Sequence, residues 1–257
     1  MKIIACIKQV PDSEAKVKAE EGKISWGDAP LVINPFDEYA MEGALQQKEA
    51  NDGSTVTALC VGPESAKEAL KHALAMGADE AILISDPALN EVDTAGAARV
   101  LAAAIQKIGG VDMVVFGRQT LDNGAGTTPA QTARVLAWPM LGLAGQIKVQ
   151  DGRVTVERVI EEGRQTVSTK LPVVVSVVQS IGEPRYPSFM GIRKASKANI
   201  PVWSLNDLGV IAPEAVVRRI EVISPSVQQT SIEIITGESP TEIADKLADK
   251  IIAEKIL

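Results

Sequence analysis

Four short apolar runs, residues 2–7, 54–61, 81–85 and 111–116, alternate with segments of helical periodicity, and this alternation constrains the fold more than any other feature. Each run is nearly continuous in apolar side chains, the pattern of a strand covered on both faces. The intervening segments carry helix signals. Asn34-Pro35-Phe36-Asp37 supplies an N-cap, a proline at the first helical position and an acid in the first turn, predicting a helix to about Lys48. Gly62-Pro63-Glu64-Ser65 opens a second, with Ala66, Leu70, Ala73 and Leu74 on one stripe and Gly77 at its end. A third spans residues 92–108, with Val100, Leu101, Ile105 and Ile108 inward, and Gly109-Gly110 stops it. Strands separated by helices at this spacing make βαβ units. The fold class is therefore α/β, a parallel sheet with helices on both faces.

After about Leu143 the pattern changes. Residues 147–149 and 153–159 flank Asp151-Gly152, a hairpin signal, and Glu161-Glu162-Gly163-Arg164 turns the chain again before 165–169. Residues 171–179 return to a buried strand. Residues 182–197 read as a loop rich in turn-formers and cations. At the end, Ser239-Pro240-Thr241-Glu242 is a capping box, followed by Ile243, Leu247 and Ile251 on one helical face. Such a tail either folds back on its own domain or reaches a partner.

Composition narrows the function. Among 257 residues, 26 Lys and Arg stand against 33 Asp and Glu, and the net charge of −7 argues against a nucleic-acid binder. No apolar stretch approaches the ~18 residues a membrane-spanning helix needs. The first eight residues hold charge within the apolar run and are read as a strand, not a signal peptide. His72 is the single histidine and reads as a solvated helix position. Cys6 and Cys60 sit in strand-like runs without metal or redox spacing, which suggests a reducing, cytoplasmic setting. One histidine and two strand cysteines cannot build a Ser-His-Asp triad, a Cys-His pair or a His-based metal centre. No catalytic or metal-ligating residue is assigned, and the composition points to binding.

The densest signal runs from Gly117-Arg118-Gln119 through Asp122-Asn123-Gly124-Ala125-Gly126-Thr127-Thr128 to Pro129, after a buried strand and before a helix. Glycines let backbone amides approach an anion, the helix start adds partial positive charge, and Thr127 and Thr128 can donate hydroxyls to phosphate. Asp122 would repel phosphate, so it fixes the loop or meets a ribose hydroxyl. The plainer reading also stands: Thr128-Pro129-Ala130-Gln131 is itself a capping box, and the loop is a turn. It is neither a P-loop nor a dinucleotide fingerprint. A nucleotide held here has no evident device beside it for its cleavage.

Five ordered motifs add up to a resemblance: Cys6-Ile7-Lys8-Gln9-Val10-Pro11-Asp12, Asn34-Pro35-Phe36-Asp37-Glu38, Ala73-Leu74-Ala75-Met76-Gly77-Ala78-Asp79, Gly117-Arg118-Gln119 with Asp122, and Glu183-Pro184-Arg185-Tyr186. Over residues 1–201, and more loosely in the tail, the chain resembles the β subunit of electron-transferring flavoprotein. The resemblance implies a Rossmann-like, adenine-nucleotide α-hydrolase-like sheet at 1–205. It adds a β-hairpin insertion at 145–170, a recognition loop at 182–197, and a C-terminal arm at 206–257 that ends in a helix and packs on a partner subunit. It implies a heterodimeric carrier whose α subunit holds FAD, moving electrons from flavin dehydrogenases of the acyl-CoA dehydrogenase type, as in fatty acid oxidation. The β slot holds AMP, or a second FAD in electron-bifurcating members that take electrons from NADH.

The family's nucleotide contacts fall on Cys6, on Asn34, Pro35, Phe36 and Asp37, on Val61, and on Met113 through Thr128. Asn34 thus caps the helix alone, or caps it beside the nucleotide. The loop matches neither the AMP-type nor the bifurcating-type pattern in full. Thr128 falls on a threonine of the AMP type, while the long tail looks like the bifurcating type, so the reading leans to AMP with FAD open. Glu183, Arg185, Tyr186, Phe189, Arg193 and Lys194 fall on the partner-binding segment, with Phe189 at the anchor position. Without the resemblance, Phe189 would be read as tucked into the core. Two other classes compete: a universal-stress-protein-like homodimer binding AMP or ATP, and an adenylyl-transferring or hydrolysing enzyme.

Overall fold

The apolar runs become the middle of one sheet. Strand β1 (Lys2–Ile7) is followed by four three-residue strands, β2 (Gln9–Pro11), β3 (Lys18–Glu20), β4 (Lys23–Ser25) and β5 (Leu31–Ile33), paired antiparallel as β2 with β5 and β3 with β4. Helix α1 (Pro35–Ala50), β6 (Thr55–Val61), α2 (Lys67–Met76), β7 (Glu80–Ile84), α3 (Thr94–Ile108), β8 (Met113–Gly117) and α4 (Thr128–Leu136) then alternate. The remainder is β9 (Met140–Gln150), β10 (Arg153–Ile160), β11 (Gly163–Lys170), β12 (Val173–Val177), α5 (Phe189–Ala195), β13 (Val202–Trp203), α6 (Leu205–Leu208) and α7 (Pro240–Ala253). This computed structural model describes residues 1–20, 22–90, 92–217, 220–223 and 232–254.

Nine strands form one sheet in the order β11-β10-β9-β12-β8-β1-β6-β7-β13. From β9 to β13 the neighbours run parallel, and β10 and β11 complete the far edge antiparallel. Successive side chains of a strand point to opposite faces. Ile3, Ala5 and Ile7 accordingly pack on α1 and α2, while Ile4 and Cys6 pack with α3 and α4. The Asp151-Gly152 turn has both residues left-handed (φ 50° and 70°), as a two-residue hairpin turn requires. The hairpin block is continuous with the sheet: β9 pairs with β12, and Ile147, Val154 and Val156 join the core under α1.

The chain divides into two compact units, Met1–Val222 and Ile223–Leu257. In the second, Ser239 caps the start of α7: its hydroxyl accepts the Glu242 N–H at 3.2 Å. The Glu242 carboxylate takes the Glu238 N–H instead of that of Ser239, so the box closes one residue early. Ile243 and Ile251 are half-buried, and Leu247 is exposed. Residues 218–219, 224–231 and 255–257 of the expected arm lie outside the described residues. Among the described residues no helix is long and apolar enough to cross a membrane.

Candidate functional site

From β1 the chain moves outward through β6 and β7, then returns to place β8 on the other side of β1. Ligands of open parallel sheets sit at such a reversal, beyond the carboxyl ends of the strands. There the structure has a cavity of about 1230 Å³, lined by Cys6 and Ile7 from β1, Val61 from β6, and Phe116 and Gly117 from β8. Asp37, Gln119, Asn123, Ala125 and Thr128 of the expected nucleotide contacts also line it.

The floor is tightly built. A Cβ on Gly117 would lie 2.5 Å from both Asp37 Oδ1 and the Phe36 carbonyl, so only glycine lets the end of β8 meet the start of α1. Asp37 is buried and its Oδ2 accepts the Lys8 N–H at 2.9 Å. Burial pushes its carboxyl up to about 7, although the Asn34 side chain and the Lys8 and Gly117 amides favour the charged form. Burial likewise raises the Cys6 and Cys60 thiols, Cys60 to about 12, so both stay protonated and unreactive.

Asn34 caps no helix with its side chain. Fully buried, it donates from Nδ2 to the Gln119 carbonyl at 2.9 Å and accepts the Leu121 N–H at Oδ1, 3.1 Å. The side-chain cap that both sequence readings assumed is corrected: Asn34 is the N-cap residue of α1, but its amide is a fastener for the glycine-rich loop. The loop also binds itself. Gly124 N–H reaches the Thr120 carbonyl at 2.9 Å, Thr120 N–H reaches the Ala125 carbonyl at 3.1 Å, and Asn123 Oδ1 accepts the Ala125 N–H at 2.9 Å. Those amides are therefore engaged within the loop.

Helix α4 starts one residue earlier than the box at Thr128 requires. Thr127 is the N-cap and makes no side-chain cap bond, while Gln131 Oε1 is buried without a partner. Thr128 and Pro129 at this uncapped terminus line the cavity. An uncapped helix start offers free N–H groups and partial positive charge to an anion. Asp122 pairs through Oδ2 with Lys8 at 2.6 Å, tying the loop to the chain leaving β1, and its Oδ1 is buried without a partner. Pro35, Phe36, Arg118, Gly124, Gly126 and Thr127 stand outside the lining. Met113 is a correction of position: it opens β8 opposite Ile3, at the other end of the strand, fully buried in the core.

Sequence reasoning missed Lys8, the residues Asn90, Val92, Asp93 and Thr94 at the entry to α3, and Ala215, Val217, Ile220 and Glu221 far along the chain. Of these only Lys8, inside the first motif, carried any signal.

The segment expected to meet a partner divides. Phe189, 81% exposed, projects with Tyr186, Met190 and Ile192 into solvent, which removes the core reading of Phe189. Glu183, Arg193 and Lys194 are exposed beside them. Arg185 is no free cation. Its guanidinium grips Glu42 through Nε (2.8 Å) and Nη2 (3.0 Å), and Glu49 through Nη1 (2.5 Å). Burial pulls the Glu42 carboxyl up, but Arg185 and Gln46 outweigh it and hold it below its ordinary value. Arg185 thus pins the root of the exposed helix α5 to α1.

The model of the electron transfer flavoprotein domain matches residues 27–208. The chain is 35% identical to the caffeyl-CoA reductase-Etf complex subunit CarD of Acetobacterium woodii over 264 aligned residues, with both chains covered in full. It is 33% identical to the electron transfer flavoprotein subunit beta of Megasphaera elsdenii, again over the whole of both chains, and 36% identical to that of Mycobacterium leprae over 99% of each. The chain belongs to the electron transfer flavoprotein β-subunit family. Membership makes it a component of flavin-based electron transport, and the doubly covered parallel sheet is the framework on which this β subunit carries its cavity.

Proposed function

We propose that this chain is the nucleotide-holding half of a heterodimeric electron carrier. The observation that carries the reading is the cavity at the sheet reversal, faced by the uncapped start of α4. Thr128 and the first amides of α4 hold phosphate, Asn123 and Gln119 border the sugar, and the Val61 and Cys6 strand ends border the base. A flavin on the α subunit supplies the redox chemistry when bound, and this chain contributes placement and electrostatics. Exposed α5, with Phe189 at its head and Arg193 and Lys194 beside it, fits docking of a flavin dehydrogenase: an aromatic anchor within a basic rim. The arm beginning near residue 206 packs on the α subunit. Two buried, protonated thiols suit a reducing cytoplasm.

AMP is the first reading of the slot. FAD is the second, favoured by volume: about 1230 Å³ exceeds the ~300–1,000 Å³ usual for a pocket holding one drug-sized ligand. FAD there would go with an electron-bifurcating complex using NADH. Co-expression with the α subunit should give a yellow 1:1 heterodimer. Denaturing it and weighing what is released should give AMP, or a second FAD per heterodimer. A colourless self-dimer would move the reading to a stress-protein-like binder, and nucleotide turnover by the chain alone to an enzyme.

A further inference from the structure

Asp93 makes two kinds of contact with one carboxylate. Oδ1 accepts the Gly96 N–H at 2.8 Å and caps α3. Oδ2 accepts the amides of Val216 (2.7 Å) and Val217 (3.0 Å), more than a hundred residues further on. Capping needs only one oxygen. The second fastens a length of chain that has left the sheet and that gives Ala215 and Val217 to the cavity wall. A second observation shows close approach at the same place. A Cβ on Gly96 would lie 2.4 Å from Val92 Cγ2 and 3.1 Å from Pro213 Cγ, so the missing side chain makes room for Val92 and for the segment together. Burial within this chain contributes little to holding it: Ile211, Val216 and Val217 are 89%, 68% and 69% exposed. The Gly96 amide outweighs a small desolvation effect, and with the Val216 and Val217 amides it keeps Asp93 below the ordinary carboxylate range, so the fastening oxygen is charged at neutral pH.

We propose that Asp93 is a positioning residue that fastens residues 211–217 as a releasable wall of the cavity and so sets how long a bound nucleotide stays. This rests on reading the cavity as the nucleotide slot. The floor is fixed by Gly117, Asp37 and Asn34, whereas within this chain the hydrogen bonds that hold this wall go to one side chain. Opening it frees two amides to water and disturbs nothing in the sheet.

Asp93→Asn and Asp93→Ser separate the two roles. Both residues are good N-caps. Neither restores the second anionic oxygen, and the asparagine Nδ2 would face two N–H donors. The full chain, purified with its α subunit, is mixed with isotope-labelled AMP, and replacement of the bound nucleotide is followed by mass spectrometry. Amide hydrogen exchange is read in parallel. Replacement should be about tenfold faster or more in both variants, with protection lost at Val216 and Val217 and retained through α3. Removing a negative charge beside the cavity would by itself favour a phosphate, so faster release is a result that simple electrostatics does not produce. Unchanged replacement in variants that carry nucleotide overturns the proposal alone. Wild-type protein that neither carries nor takes up a nucleotide overturns the reading of the cavity along with it.

Discussion

Asp37→Asn tests the cavity floor through the dependence of stability on pH. Burial places the folded-state pKa of Asp37 at about 7, against an ordinary 3.8. Between those values the folded chain binds one proton that the unfolded chain has released. Stability therefore falls as pH rises through this window and levels off above about pH 7. Roughly three pH units at about 1.4 kcal/mol each give about 4 kcal/mol. The carboxyl is almost wholly buried, so solvent screening takes little from that figure. Asparagine has no proton to lose. Its Nδ2 would confront the Lys8 or Gly117 amide, a constant cost of about 1–3 kcal/mol at every pH. Urea unfolding of both proteins in half-unit steps from about pH 4.5 to 8 gives the difference directly, and carboxylates common to both cancel. Wild type minus variant should shrink by most of those ~4 kcal/mol up to about pH 7 and then flatten. A difference that stays flat, or grows with pH, would refute the argument that burial governs this carboxyl.

Gly117→Ala forces a Cβ against Asp37 and Phe36; it should lower stability by about 1–3 kcal/mol and reduce the nucleotide recovered on denaturation, read by thermal melting and mass. Arg185→Ala strips the buried Glu42 of its partner. Because the Arg185 side chain is one third exposed, the ~3–5 kcal/mol of a fully buried pair is discounted to about 2 kcal/mol, and Arg185→Lys should recover only part of it in denaturant titrations. Phe189→Ala should leave stability within ~0.5 kcal/mol and flavin content unchanged, yet slow electron acceptance from the dehydrogenase about tenfold in stopped-flow assays. Loss of flavin would instead place Phe189 in folding.

The legible part of the fold was the part whose burial is two-sided. A strand packed on both faces writes its position as a continuous apolar run, and β1, β6, β7 and β8 all appear that way. Helix starts were legible to within a residue or two because Pro35 and Pro129 mark them locally. What local signals could not show was where a side chain goes once the helix exists. Asn34 has the chemistry of a cap, but its partners Gln119 and Leu121 are 85 and 87 residues away. Lys8 is an ordinary lysine until Asp122 is folded against it. Met113 belongs to the right strand at the wrong end, a distinction that requires strand direction as well as identity. Nothing local marks Ala215 and Val217 as cavity wall, since their place there depends on an acceptor at Asp93.

These differences share a physical cause that bears on function. A site that turns over its ligand needs a group free to change protonation or form a bond. Three such groups at or beside this cavity are engaged or held by burial. The Asp37 carboxyl titrates near neutral pH but is buried and accepts a backbone amide, the Cys6 thiol is held protonated by burial, and Asp122 Oδ2 is paired with Lys8. The Thr120, Gly124 and Ala125 amides are spent on the loop's own geometry, while the start of α4 has no side-chain cap. Each engagement removes a degree of freedom that catalysis would use and adds stiffness that holding requires. In an electron carrier the distance and orientation of a cofactor decide the rate, so a stiff floor serves the proposed role directly. On this argument Asn34→Ala, which cuts the loop free of α1, should speed amide exchange at Leu121 and loosen nucleotide without creating turnover. Nucleotide hydrolysis by that variant would show that stiffness had been suppressing chemistry, and the site would then have to be read as an enzyme's.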